Sequence, residues 1–207
     1  MYTVKSPYIL RKLFKSLIHW DVKTTEKTLY LSFDDGPIPE VTPKVVELLK
    51  VYDAKATFFM VGENIDKYNS IFQEVKAAGH TIGNHTYNHI KSWKSTNKEY
   101  FDNIDKASEL IDGKLFRPPH GQIKLKQLKD LSKDYNIVFW SVLSGDFDNS
   151  ISKEQCKDNV ISNAKNGSII VFHDSLKAEK NMLYALEKTL IHFSNLGYNF
   201  KSLAHLA

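Results

Sequence analysis

The sequence predicts an α/β fold: parallel strands covered by helices, built as a distorted (β/α) barrel that need not close, with a helical extension in front. Strand and helix signals alternate from Thr28 onward. Several strands, such as residues 29–33 and 169–172, are unbroken apolar runs, the pattern of strands buried on both faces of a parallel sheet. No glycine-rich phosphate loop follows a strand, which argues against an open nucleotide-binding sheet.

The elements follow in order. Ile9, Leu10, Leu13, Phe14, Leu17 and Ile18 repeat at helical spacing between basic residues. Residues 1–27 therefore read as an N-terminal helical extension packed on the domain, with a helix resting on a membrane or envelope surface as the alternative. Residues 28–33 are a strand, and residues 39–51 a helix with Pro43 near its start. Residues 56–61 form the next strand, residues 71–78 a helix ended by Gly79, and residues 80–83 a short strand. A helix over residues 97–111 stops at Gly113, and a strand stub at Leu115-Phe116 runs into Arg117-Pro118-Pro119. Residues 125–133 are helical, 137–142 strand, 153–164 helical and 168–172 strand. A helix over residues 182–196, capped by Gly197, and a last strand at residues 198–200 complete one domain over residues 1–207.

Composition narrows the function. A net charge of +4, with no Lys/Arg block, gives no case for nucleic acid. No run of about 18 apolar residues suggests a transmembrane helix. The basic, interrupted N-terminus lacks a signal-peptide core, so the expectation is a cytoplasmic protein or one peripheral to the envelope, and a monomer. The single cysteine, Cys156, excludes an internal disulfide and a thiolate metal site, so any metal must sit on His and Asp/Glu.

Ionisable residues gather where strands end, the edge at which α/β barrels build active sites. Asp34 and Asp35 follow the first strand, and strand alternation turns them to different sides. His85 and His89, four apart beside Gly83-Asn84, belong to a loop or single turn in which two imidazoles can converge. With Asp35 they make a two-His, one-carboxylate site with positions left open for water and substrate. His173, at the end of an apolar strand and next to Asp174, suits a proton donor near neutrality. Arg117, stiffened by two prolines, reads as a surface charge or as a clamp that orients Asp34.

These motifs resemble, in order, those of the polysaccharide deacetylase (NodB-homology) family of metal-dependent carbohydrate esterases over residues 28–203. Ser32-Phe33-Asp34-Asp35-Gly36-Pro37 matches the family's Thr-Phe-Asp-Asp-Gly-Pro, His85-Thr86-Tyr87-Asn88-His89 its His-Ser/Thr-x-x-His, and Arg117-Pro118-Pro119-His120-Gly121 its Arg-Pro-Pro-Tyr-Gly. The resemblance implies Asp34 as catalytic base, Asp35, His85 and His89 as ligands of a divalent metal (Zn²⁺ by default, Co²⁺ or Ni²⁺ also fitting), and His173 as general acid. It implies oxyanion support from the backbone of Pro119, His120 and Gly121, a groove wall at Trp140, and an acetyl pocket lined by Val171. The fourth motif, Asp-x-x-Asp-Trp, is departed from: Leu143 stands for the first Asp and Phe147 for the Trp, leaving Asp146 as the expected partner of Arg117. The implied activity is removal of N-acetyl groups from a β-linked amino-sugar glycan such as peptidoglycan or chitin. O-acetyl ester or small-amide hydrolysis and an inactive carbohydrate-binding domain are the alternatives.

Overall fold

The computed structural model describes residues 2–207. After a short helix α1 (Tyr8–Leu13), the first half of the chain runs β1 (Thr28–Asp34), α2 (Thr42–Val51), β2 (Thr57–Met60), α3 (Gly62–Lys67), α4 (Asn69–Ala77), β3 (Thr81–Asn84), α5 (Asn97–Ser108) and β4 (Leu115–Phe116). The second half runs α6 (Leu125–Leu131), β5 (Asn136–Ile137), β6 (Val142–Leu143), α7 (Lys153–Ile161), β7 (Ile169–His173), α8 (Glu179–Asn195) and β8 (Asn199–Phe200). All named strand pairs are parallel, in the order β5-β4-β3-β2-β1-β7-β6, while β8 joins the first residues of β1. The central position of β1 follows from its sequence: all seven of its residues are buried, so it has no face to offer to water. Phe33 stacks on Phe58 at 4.9 Å and on Phe172 at 5.8 Å, tying β1 to both neighbours. Val45 and Leu49 of α2 and Leu186 and Leu190 of α8 belong to the same core.

The barrel is open between β5 and β6. The strand expected over residues 137–142 is broken at Phe139 and Trp140, and its two ends serve opposite edges of the sheet. The break has a cause: the carbonyls of Val138 and Phe139 accept hydrogen bonds from the Arg117 side chain. The N-terminal extension covers this opening. Lys5 bridges Val142 in antiparallel sense, His19 bridges Val138, and Asp21 bridges Ser168.

That role corrects the expected extension. Only Tyr8–Leu13 is helical, none of its residues is buried, and Ile9, Leu10 and Leu13 face solvent. The apolar residues that do pack are those after the helix, Phe14, Leu17, Ile18 and Trp20, beside Phe139 and Ile137. The helix stops early because residues 18–21 must run extended to reach the exposed edges at Val138 and Ser168. A helix missed in the sequence, α3, leads directly into α4. No helix among the described residues is long and apolar enough to cross a membrane.

Candidate active site

The C-terminal ends of the strands surround an open groove of about 510 Å³. Asp34, Asp35, His85, His89, His120 and His173 all line it. Backbone geometry separates the two neighbouring aspartates. Asp34 is the last residue of β1, whereas Asp35 turns out of the strand at φ 87°, in the left-handed region that a non-glycine residue occupies only under constraint. The constraint comes from behind: the buried Asp174 carboxyl group accepts the Gly36 N–H at 3.1 Å and the Thr42 hydroxyl at 2.5 Å. A Cβ on Gly36 would lie 2.1 Å from Asp174 Oδ2, so glycine is required here. Asn64 adds a hydrogen bond to the Asp35 carbonyl at 2.8 Å.

Among the described residues, Asp35, His85 and His89 form a group able to hold a metal ion, with donor atoms all within 4.8 Å of one another. Asp35 Oδ1 lies 3.2 Å from His89 Nε2 and 3.9 Å from His85 Nε2. His85 is fully enclosed, and its Nδ1 meets the Arg117 carbonyl at 2.8 Å. A carbonyl only accepts, so Nδ1 carries the hydrogen and Nε2 presents its lone pair to the site, as metal-binding histidines require. Burial lowers the His85 pKa to about 4, which keeps that lone pair free at neutral pH. Burial alone would push the Asp35 carboxyl up, but the His89 hydrogen bond and the charges of His173, His85 and His89 hold it well below the carboxylate range. The donor set therefore fits a divalent cation. The loop between the histidines is irregular, with Thr86 and His89 at positive φ. Asn103 of α5 holds it by accepting the Tyr87 and Asn88 N–H groups at 2.8 and 3.3 Å.

Asp34 faces Arg117, the largest fully buried side chain of the protein. Arg117 Nη1 donates to Asp34 Oδ1 at 2.7 Å and to Ser32 Oγ at 2.9 Å, while Nε and Nη2 donate to the Val138 and Phe139 carbonyls, each at 3.1 Å. The guanidinium also lies 4.1 Å from the centre of the Phe59 ring. Four of the five guanidinium N–H groups are committed, and the Nη1 bond holds Asp34 in one orientation.

Asp146 is not the partner expected for it. It is buried against His173 instead: Oδ1 accepts from the ring Nδ1 at 2.8 Å and Oδ2 from the backbone N–H at 2.7 Å. Arg117 is already committed to Asp34, Ser32 and two carbonyls, and Asp146 is brought to β7 by the turn at Gly145 (φ 77°). Burial alone would lower His173, but Asp146, through charge and hydrogen bond, with Asp35 and Asp34 beyond it, raises the imidazole to about 9.

The remaining expected residues divide. His120, Gly121 and Trp140 line the groove; Pro119 is buried and does not line it. His120 takes φ 61° and sets its ring 4.5 Å from that of His89. Gly121 tolerates no side chain, since a Cβ would meet the Trp140 ring at 2.5 Å. Val171 is a correction: it is wholly buried and outside the groove, and Leu143, paired with it in register across the sheet, lines the wall in its place. Sequence reasoning missed Tyr2 and Lys177, which also line the groove; neither carries a local signal.

The family model described as "Polysaccharide deacetylase" matches residues 21–140. The chain belongs to the polysaccharide deacetylase family. This family is metal-dependent, in keeping with the Asp35–His85–His89 donors. Two relatives from Bacillus cereus, both named peptidoglycan-N-acetylglucosamine deacetylase, are 33% and 36% identical to this deacetylase-family chain. The first alignment covers 91% of this chain and 92% of the relative, the second 84% and 66%. The solved structure of the Bc1960 peptidoglycan N-acetylglucosamine deacetylase, in complex with 4-naphthalen-1-yl-N-oxidanyl-benzamide, superposes with a TM-score of 0.87 at 32% identity, covering 97% of this chain and 96% of that one. The curled parallel sheet left open between β5 and β6 is thus the family's fold.

Proposed function

We propose that this protein removes N-acetyl groups from β-linked N-acetylglucosamine, with peptidoglycan strands as first substrate, through Asp34 as base and His173 as acid. The observation that carries the reading is the placing of these two groups in one groove with the three donors, each fixed by its own buried partner: Arg117 for Asp34 and Asp146 for His173. The names of the similar deacetylases support the substrate class. Zn²⁺ is the ion assigned to Asp35, His85 and His89, and when bound it supplies a polarised acetyl carbonyl and a water acidified towards neutrality.

Asp34 takes a proton from the attacking water as its oxygen bonds to the acetyl carbon. The Gly121 N–H is already given to the Pro118 carbonyl at 3.1 Å, so the His120 amide is the backbone donor assigned to the developing oxyanion. Cleavage of an amide C–N bond needs a protonated nitrogen, because a free amide anion is a very poor leaving group. His173, charged below about pH 9 and held through Nδ1 by Asp146, has Nε2 left to make that transfer. Acetate and a free amine are the products. Mass-spectrometric acetyl loss from peptidoglycan fragments and acetylated chitooligosaccharides tests the reading. Asp34→Asn and His85→Ala variants should lose the activity, and either one working at wild-type rate sinks the assignment.

A further inference from the structure

We infer that the N-terminal arm is part of the substrate groove, and that Tyr2, backed by Phe147, is a specificity-determining residue that takes the apolar face of a sugar ring beside the scissile amide. The inference rests on the glycan reading above and adds a residue outside the segment matched to the family, residues 21–140.

The arm is held in place. Residues 4–6 run antiparallel to the edge formed by residues 140–143: the Val4 carbonyl accepts the Leu143 N–H at 2.8 Å, Ser6 N–H reaches the Ser141 carbonyl at 3.4 Å, and Ser6 Oγ donates to the Trp140 carbonyl. This pairing supplies the partner that the β6 edge lacks. It also carries Tyr2 to the strand ends, where its hydroxyl donates to Asp148 Oδ2 at 3.0 Å. The ring packs edge-on against Phe147 at 5.1 Å, and Phe147 in turn packs edge-on against His173 at 5.1 Å. Gly145 makes room for this arrangement, since a Cβ there would lie 2.8 Å from the Tyr2 hydroxyl.

The chemistry gives the wall its ligand. The acyl end of the substrate belongs beside Asp35 and His89, and the nitrogen that leaves belongs beside His173. The sugar bearing that nitrogen, or its neighbour, therefore lies on the His173 side, against Phe147 and Tyr2. An equatorially substituted pyranose offers a face of C–H groups, which an aromatic ring complements and water does not. A small amide has no such face, so the wall distinguishes glycans from small substrates.

The test compares penta-N-acetylchitopentaose with N-methylacetamide for the full chain loaded with zinc. Tyr2→Ala should raise KM for the pentamer about five- to tenfold, with a much smaller change in kcat, the size expected for one lost aromatic contact. The preference for pentamer over N-methylacetamide should fall by the same factor. Tyr2→Phe keeps the ring, loses only the bond to Asp148, and should retain the preference. A Tyr2→Ala preference within twofold of an active wild type overturns the inference, as does an equal loss on both substrates, which would reduce Tyr2 to support for the arm. Wild-type protein that releases no acetate from the pentamer overturns the substrate reading itself.

Discussion

Asp146 and His173 are joined twice, through the imidazole Nδ1–H and through the backbone N–H of the same histidine. A single carboxylate thereby fixes both the ring's orientation and the position of the strand end that bears it. The carboxylate is fully buried, so its charge acts on the ring without screening by water.

The pair sets the alkaline limb of activity. His173 must be protonated to serve the leaving amine, so the rate should hold below about pH 9 and fall above it. Asp146→Asn keeps the size of the side chain and removes the charge. The limb should then move down towards the ordinary histidine value of about 6.5, with kcat/KM lower by about thirtyfold at pH 8. A pH–rate profile of the two proteins checks this; an unmoved limb would assign the titration to another group.

Arg117 joins stability to catalysis. Arg117→Met leaves the Asp34 carboxylate buried with no cationic partner and the Val138 and Phe139 carbonyls short of a donor. Breaking a buried pair from one side costs about 3–5 kcal/mol. Arg117→Lys keeps the charge, but one ammonium cannot span Asp34, Ser32 and both carbonyls, so activity should fall well below wild type even where folding is retained. Urea denaturation and acetate release, measured on both variants, separate the two effects.

Much of the fold and the site was legible in the sequence because apolar runs mark buried strands, and in a parallel sheet their ends converge. Asp34, Asp35, His85, His89 and His173 could be brought together on that argument, whereas Arg117 reads equally as a surface charge until the resemblance is added. The partner of Asp146 could not be found this way, because its pairing with Arg117 is implied by the resemblance, and nothing in the sequence shows that the guanidinium is taken up by Asp34, Ser32 and two carbonyls. Val171 was misplaced for a related reason: β7 is buried through Val171 on both faces, so its pattern does not say which face meets the groove. The extension misled because Ile9, Leu10 and Leu13 have helical spacing, while pairing of Lys5 with Val142 leaves no trace in nearby sequence.

Asp174 should govern metal affinity without touching the metal. Its carboxyl group holds the Gly36 amide and Thr42, and so the turn that aims Asp35. Asp174→Ala leaves a buried N–H without an acceptor, a cost of about 1–3 kcal/mol. Zinc affinity, read by chelator competition, should fall about 10- to 100-fold, as for other residues that orient a ligand. Asp174→Asn retains an acceptor for Gly36 and should fall less. Equal zinc affinity in wild type and Asp174→Ala would show that Asp35 is aimed without it.

A second histidine makes the fold sensitive to acid at a place far from the chemistry. His80 is buried beside the start of β2, and its Nδ1 accepts the Ala56 N–H at 3.2 Å, which requires that nitrogen to be unprotonated. Burial, with the charge of Lys55, lowers its pKa to about 4; Glu47, Lys50 and Glu74 line the same cleft. The folded state thus excludes a proton that the unfolded chain binds at about pH 6.5. Its stabilising contribution is complete above that value and is lost as pH falls towards 4. Between pH 7 and pH 5 the wild type should lose about 1–2 kcal/mol more than His80→Gln, which can accept the same amide but does not titrate. Denaturant unfolding at the two pH values measures the difference. Parallel losses in the two proteins would place the acid sensitivity on the carboxylates instead.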